Sequence, residues 1–107
     1  MTGVGTDQVF ATLANPVRRR LLELLAAGPR NAGALASEFS LSRPAVAEHL
    51  RLLEEAQLVR RVKRGRESHY HLNPEPLGEL NAWLRPFERY WRARLSDLAR
   101  ITEERSR

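Results

Sequence analysis

Between Ser42 and Leu53 the chain carries two kinds of residue on what the spacing predicts to be one helix. Val46, Leu50 and Leu53 recur at i, i+4 and i+7, which puts all three on a single buried face. Arg43, Pro44, Ala47, Glu48 and Arg51 must then point away from that face. An arginine can donate to both acceptors on the edge of a guanine. A glutamate can accept from a cytosine amino group, and an alanine or proline can lie against a thymine methyl. This spacing suits Arg43, Ala47 and Glu48 to reading base edges and Ser42 and Arg51 to reaching phosphates; the bland alternative is a solvated helix face. Downstream, Arg60, Arg61, Lys63, Arg64 and Arg66 crowd positive charge around Gly65. A hairpin tip flanked by arginines, with Lys63 beside it, suits a minor groove or its phosphates, and Arg64 and Arg66 are the foremost candidates. Charge of this kind more often serves only solubility, which is the competing reading.

The elements that would position these residues are legible on either side. Asn15-Pro16 is a helix start, with Asn15 as cap and Pro16 at the first helical position, and Leu21, Leu22, Leu24 and Leu25 supply the apolar face until Gly28-Pro29 stops it. Asn31 caps a helix of about two turns that buries Leu35, Ala36 and Phe39 and ends near Ser40. Ser42 caps the next, which runs to about Gln57. Two helices joined by a very short turn make a helix-turn-helix. Leu58 to Lys63 and Ser68 to Leu72 read as strands, with Arg64-Gly65-Arg66-Glu67 as the tip between them. After the break at Asn73-Pro74-Glu75-Pro76, one long helix is expected from about Leu77 to Ile101. Leu77, Leu84, Trp91 and Leu98 repeat every seven residues there, and Leu80, Phe87 and Ile101 form a partial second series with Arg94 in the missing place. Pro86 removes the hydrogen bond to the Ala82 carbonyl and predicts a bend, while the repeat continues in phase beyond it. That helix is longer than a small core needs, and its apolar seam wants a partner.

Composition narrows the function classes. The 107 residues suit one domain, with 42% hydrophobic and 29% charged residues, outside the disordered regime. A net charge of +5 favours nucleic acid or another anionic surface. There is no apolar run long enough for a membrane span and no secretory signature, so a cytoplasmic location and no membrane partner are expected. The absence of cysteine excludes disulfides and thiolate metal sites. His69 and His71 share one face of a strand, but two ligands do not make a metal site, and no metal or other cofactor is expected. His49, beside the core face, reads as packed or bonded to phosphate. Arg18, Arg19 and Arg20 span too much of a helix circumference to face one surface together. Trp83, Phe87, Tyr90 and Trp91 fit an aromatic dimer core better than an effector pocket. With no nucleophile beside a base, no metal triad and no phosphate-cradling glycine loop, no catalytic residue is named and an enzyme is not expected.

The order of elements resembles the ArsR-type winged-helix repressors, from about Val9 to Ile101. Four stretches carry the likeness: Leu13-Ala14-Asn15-Pro16-Val17-Arg18 before Leu21-Leu22; Leu41-Ser42-Arg43-Pro44-Ala45-Val46-Ala47-Glu48-His49-Leu50; Leu58-Val59 with Arg64-Gly65-Arg66; and Tyr70-His71-Leu72. The last helix is similar to the branch of that family lacking the usual cysteine metal site, whose cysteine pair is missing between Ala34 and Ser40. The resemblance implies a mainly α fold with a small β-hairpin, a winged helix-turn-helix of order ααααββα. It implies a homodimer through the first and last helices, with Val9, Phe10, Leu77, Leu80, Trp83, Leu84, Phe87, Trp91, Leu95 and Leu98 at the interface, and repression at a double-stranded operator. The expected organisation is a single domain, with a winged-helix core at 9–75, a dimerisation helix at 76–102 and frayed ends at 1–6 and 103–107. Two rivals stay open: a ligand- or metal-responsive sensor of the same fold, with its effector unknown, and a winged helix used to bind proteins.

Overall fold

Leu21, Leu35, Leu50 and Leu53 come from three different helices and meet at one centre, each fully withdrawn from solvent. The computed structural model describes residues 5–106. Its elements are α1 (Thr6–Leu13), α2 (Pro16–Ala26), β1 (Arg30–Asn31), α3 (Ala32–Ala36), α4 (Arg43–Glu55), β2 (Val59–Arg64), β3 (Glu67–Leu72) and α5 (Glu75–Ser106). Three of the helices start where capping chemistry dictates. The Asn15 side chain accepts from the Val17 and Arg18 amides at 2.8 and 3.2 Å, Asn31 accepts from Ala34 at 2.8 Å, and Ser42 accepts from Ala45 at 3.3 Å. Around the leucines, Val46, Ala56, Leu58, Val59 and Tyr70 close the core, and Val17, Phe39 and Leu72 pack against it.

Two features depart from the sequence expectation. Helix α3 ends at Ala36, short of Ser40, so the turn before α4 is longer than expected. The Ser37 hydroxyl donates to the Ala34 carbonyl at 2.7 Å, while the Glu38 and Phe39 amides reach back three residues, to Leu35 and Ala36. The regular four-residue ladder gives way to tight turns there. The hairpin also gains a third strand: Arg30 pairs with Tyr70 and Asn31 with His69, giving a sheet of order β1-β3-β2. A two-residue strand is too short to carry an alternating pattern, so it left no signal in the sequence.

The junction between α4 and the hairpin is fixed by backbone chemistry. Gln57 takes φ of 57°, the Leu58 amide donates to the Leu53 carbonyl at 2.9 Å and the Gln57 amide to Glu54 at 2.9 Å. This is a Schellman ending, with glutamine where glycine is usual. Asn73, which is buried, donates from its side chain to the Gln57 carbonyl at 2.7 Å and from its amide to the Leu58 carbonyl at 2.9 Å. The far end of β3 is thereby tied to the end of α4, and the hairpin cannot swing independently of that helix. At the tip, Arg64 pairs with Glu67 across Gly65, whose φ of 61° glycine adopts at little cost.

Helix α5 is 32 residues long, about 48 Å at the usual rise, and continues to Ser106 with Pro86 in its interior. The radius of gyration is 18.1 Å, against roughly 13 Å for a compact chain of this length, because the helix projects beyond the core. Only its start is anchored: Leu80 is buried, and Leu77 packs against the core. Two residues expected at a dimer seam are corrected here. Val9 and Leu80 are enclosed by the protomer's own core, with 0% and 9% exposure, and have no surface to offer a partner. The frayed ends expected at 1–6 and 103–107 fall partly outside the described residues; Thr6 and residues 103–106 stand in helices.

Leu50→Ala should cost about 2–5 kcal/mol of folding stability through the cavity left behind, read from denaturant midpoints. Gln57→Gly should raise stability by up to about 1 kcal/mol by removing the left-handed penalty, and a lower midpoint would contradict that assignment.

Candidate nucleic-acid interface

Helix α4 buries Val46, Leu50 and Leu53, and by rotation exposes Ser42, Arg43, Pro44, Ala47, Glu48 and Arg51 along one side. All six residues expected to face a groove are thus on the solvent side of the helix. The Arg43 guanidinium lies over Gly33 and lines a cleft of about 410 Å³ with Asn31, Ala32, Ala34, Glu67 and Ser68. The start of α4, the start of α3 and the near end of β3 therefore share one concave surface. Lys63 and Arg64 are the strand partners of Ser68 and Glu67, two of the cleft's lining residues, and Lys63, Arg64 and Arg66 are all exposed.

Electrostatics sort the cations into two groups. Among the described residues, Arg43, Arg60, Lys63, Arg64 and Arg66 make no ion pair and no side-chain hydrogen bond, so their donors are free for a polyanion. Arg51 is the opposite case. Its Nε and Nη2 donate to the two carboxylate oxygens of Glu48 at 2.9 and 2.6 Å, and its Nη1 donates to Glu55 at 2.7 Å. The hydrogen bond from Arg51 holds the Glu48 carboxyl below its ordinary value, and the two carboxylates raise Arg51 above its own. Because the Glu48 value is lowered on folding, the pair is intact above the usual carboxylate range and is lost only as pH falls through the lowered value. The group is fully exposed, so its weight in stability is small. In the free protein, both Glu48 and Arg51 are occupied with each other rather than poised for base and phosphate. Arg61 is likewise taken up by Glu54, at 3.2 Å, and braces β2 against α4.

The remaining sequence candidates separate. His69 and His71 do share a strand face, and His69 Nε2 lies 3.2 Å from Glu67, which also accepts from Asn31 at 3.4 Å. Among the described residues, no three His, Asp or Glu side chains gather as a metal site would require. His49 is half-buried, with Nδ1 at 3.5 Å from Arg18 Nη1, a contact across 31 residues that no local pattern announces. On α5, Trp83 meets Phe10 of α1 edge-on at 5.2 Å and Phe87 at 5.0 Å. Phe10, Trp83, Phe87, Tyr90, Trp91, Leu95, Leu98 and Ile101 are exposed, Leu84 is half-buried, and Arg94 sits over the Tyr90 ring at 5.8 Å. No helix among the described residues is long and apolar enough to cross a membrane.

A family profile described as a helix-turn-helix domain matches residues 13–62, from the end of α1 into β2. The chain is 32% identical over 81 residues to the transcriptional repressor SdpR of Bacillus subtilis, covering 76% of this chain and 90% of that protein. The solved ArsR-like transcriptional regulator from Rhodococcus superposes with a TM-score of 0.69 at 32% identity, over 90% of this chain and 91% of the other. The chain belongs to the ArsR family of transcriptional regulators. A solved homodimeric winged helix-turn-helix DNA-binding domain from Mycobacterium bovis, described as a possible member, matches with a TM-score of 0.63 at 28% identity, over 74% and 73% of the two chains. In this ArsR-family member the matched region contains α4 and most of the core that holds it, while the whole of α5 lies beyond the helix-turn-helix profile. With no cysteine anywhere in the sequence, it carries no thiolate metal ligand.

Glu55→Gln should leave the Glu48–Arg51 pair in place but remove one negative charge from the exposed side of α4. Binding to a non-operator duplex should tighten, with a salt slope steeper by about 0.9 per subunit if Arg51 then gains one phosphate. Anisotropy titrations across salt concentrations read both quantities.

Proposed function

We propose that the protein is a homodimeric transcriptional repressor that binds a pseudo-palindromic operator, with one α4 helix in each of two successive major grooves about one helical turn apart. The observation that carries this reading is a set of exposed, unpaired cations: Arg43 at the start of α4, and Lys63, Arg64 and Arg66 at the hairpin tip, whose strand partners Ser68 and Glu67 share a cleft with Arg43. Arg43, Ala47 and Glu48 read bases, with Pro44 against the same edges. Ser42 and Arg51 reach phosphates, and the tip enters or flanks the minor groove. For Glu48 and Arg51 this requires exchange of their mutual hydrogen bonds for contacts to DNA, an exchange with small net cost between exposed partners. Residues 9–75 act as the DNA-binding unit and 76–102 as the dimerisation helix, and the protein works in the cytoplasm by binding rather than by catalysis.

Dimerisation is supported by the exposed apolar run on α1 and α5. Phe10, Trp83, Phe87, Trp91, Leu95 and Leu98 are all large apolar side chains left exposed, the kind of grouping that marks an interaction surface. Leu77 and Leu84 lie at its margin. The Mycobacterium bovis domain of the same fold is homodimeric.

Selection of bound fragments from sheared genomic DNA at physiological salt should return an inverted repeat; fragments without a shared motif would favour a protein-binding role for the wing. On the recovered operator, Arg43→Ala should relax preference at one base position, whereas a uniform loss across sequences would make it a phosphate contact. If the dimer neutralises six to ten phosphates, affinity should fall by roughly 10³ to 10⁵ between 50 and 200 mM salt. Leu95→Lys should give a folded monomer in sedimentation that has lost operator affinity but keeps weak binding to any duplex.

A further inference from the structure

Helix α1 touches the exposed aromatic stripe on one side and the core of the DNA-facing unit on the other, and one side chain bridges the gap between them. Arg18, near the start of α2, donates from Nε to the Thr12 carbonyl and from Nη2 to the Ala11 carbonyl at 3.4 Å. Both acceptors belong to the last turn of α1, where the four-residue ladder ends; Ala11 also accepts from the Ala14 amide at 3.3 Å. The third nitrogen, Nη1, reaches His49 Nδ1 at 3.5 Å, on α4. A guanidinium only donates, so in this contact Nδ1 is the acceptor. Beside this fork lies a depression of about 250 Å³ lined by Gln8, Ala11, Thr12, Arg18, Leu52 and Glu55, so packed side chains do not fill the space between α1 and α4. Arg19 makes the contrast clear: its Nη1 donates to the Leu13 carbonyl at 2.7 Å, and among the described residues it makes no hydrogen bond or ion pair to α4.

We propose that Arg18 is a positioning residue that sets the angle of α4 relative to the dimer seam. The physical path is short. Trp83 of α5 packs edge-on against Phe10 of α1, the next two residues of α1, Ala11 and Thr12, present their carbonyls to Arg18, and Arg18 holds His49 on α4. In a dimer joined through α1 and α5, two α4 helices must match two major grooves at once, so a small error in each angle costs operator affinity without altering the subunit fold. The planar three-nitrogen fork is specific to arginine; lysine carries the same charge but cannot span both carbonyls and the ring. This inference rests on the proposed dimeric, operator-binding role.

The test uses full-length protein and four forms: wild type, Arg18→Lys, His49→Phe and the double variant. His49→Phe removes only the acceptor on α4 and leaves the α1 carbonyls bound, so it remains informative if Arg18→Lys fails to fold. Dimer dissociation and affinity for a random duplex should match wild type in both single variants, while operator affinity falls about tenfold, within the usual range of coupling between sites. The double variant should lose no more than either single variant. Unchanged operator affinity in Arg18→Lys and His49→Phe would overturn the proposal. So would equal losses on operator and random duplex, which would make the residues phosphate contacts, or additive losses in the double variant. A wild-type protein that is monomeric, or that selects no sequence, would instead defeat the underlying reading.

Discussion

The burial of Leu50 and Leu53 against Leu21 and Leu35 is the constraint from which the surface of this protein follows. A helix that must bury i, i+4 and i+7 has no freedom left in its rotation, so the outward positions of Arg43, Ala47, Glu48 and Arg51 are consequences of packing. The same core fixes where α4 ends. The left-handed Gln57 reverses the chain, and Asn73 closes the reversal by bonding to Gln57 and Leu58. Helix and hairpin are thereby held as one unit, which fixes where Arg43 and the tip cations stand relative to each other.

Charge on that surface is more structured than the net value of +5 implies. Arg51, near the middle of α4, and Arg61 of β2 are engaged by Glu48, Glu55 and Glu54, while Arg60 and the arginines at the start of α4 and at the tip are unpaired. The division has a functional consequence. Free cations at the periphery attract any polyanion, whereas the paired middle of α4 adds no further attraction until its partners are exchanged.

Helix α5 shows the opposite relation between core and surface. Its first turns are held by Leu77 and Leu80, but from Phe87 to Ile101 the apolar series is exposed among the described residues. The family to which the chain belongs includes dimeric members, and a second copy supplies the missing cover in the proposed assembly. Arg18 then matters because α1 is shared: one side packs on the aromatic stripe, and the end of the helix is tied to α4.

The sequence by itself determined the helix starts at Asn15, Asn31 and Ser42, the buried face of α4, the glycine-centred tip and the long final helix. Each of these depends on residues close together in the chain, through caps, periodicity or a strained turn. Tertiary structure alone decided the rest. The two-residue strand at Arg30 and Asn31 exists only because β3 is there to pair with it. Val9 and Leu80 went to the protomer's core rather than to a seam because the same periodic pattern serves either kind of burial, and only the packed neighbours distinguish them. The occupation of Arg51 by two glutamates, and the reach of Arg18 to His49 across 31 residues, depend on side-chain geometry that spacing cannot specify. Local chemistry is written in neighbouring residues; contacts between distant ones are settled only when the chain has folded around its leucines.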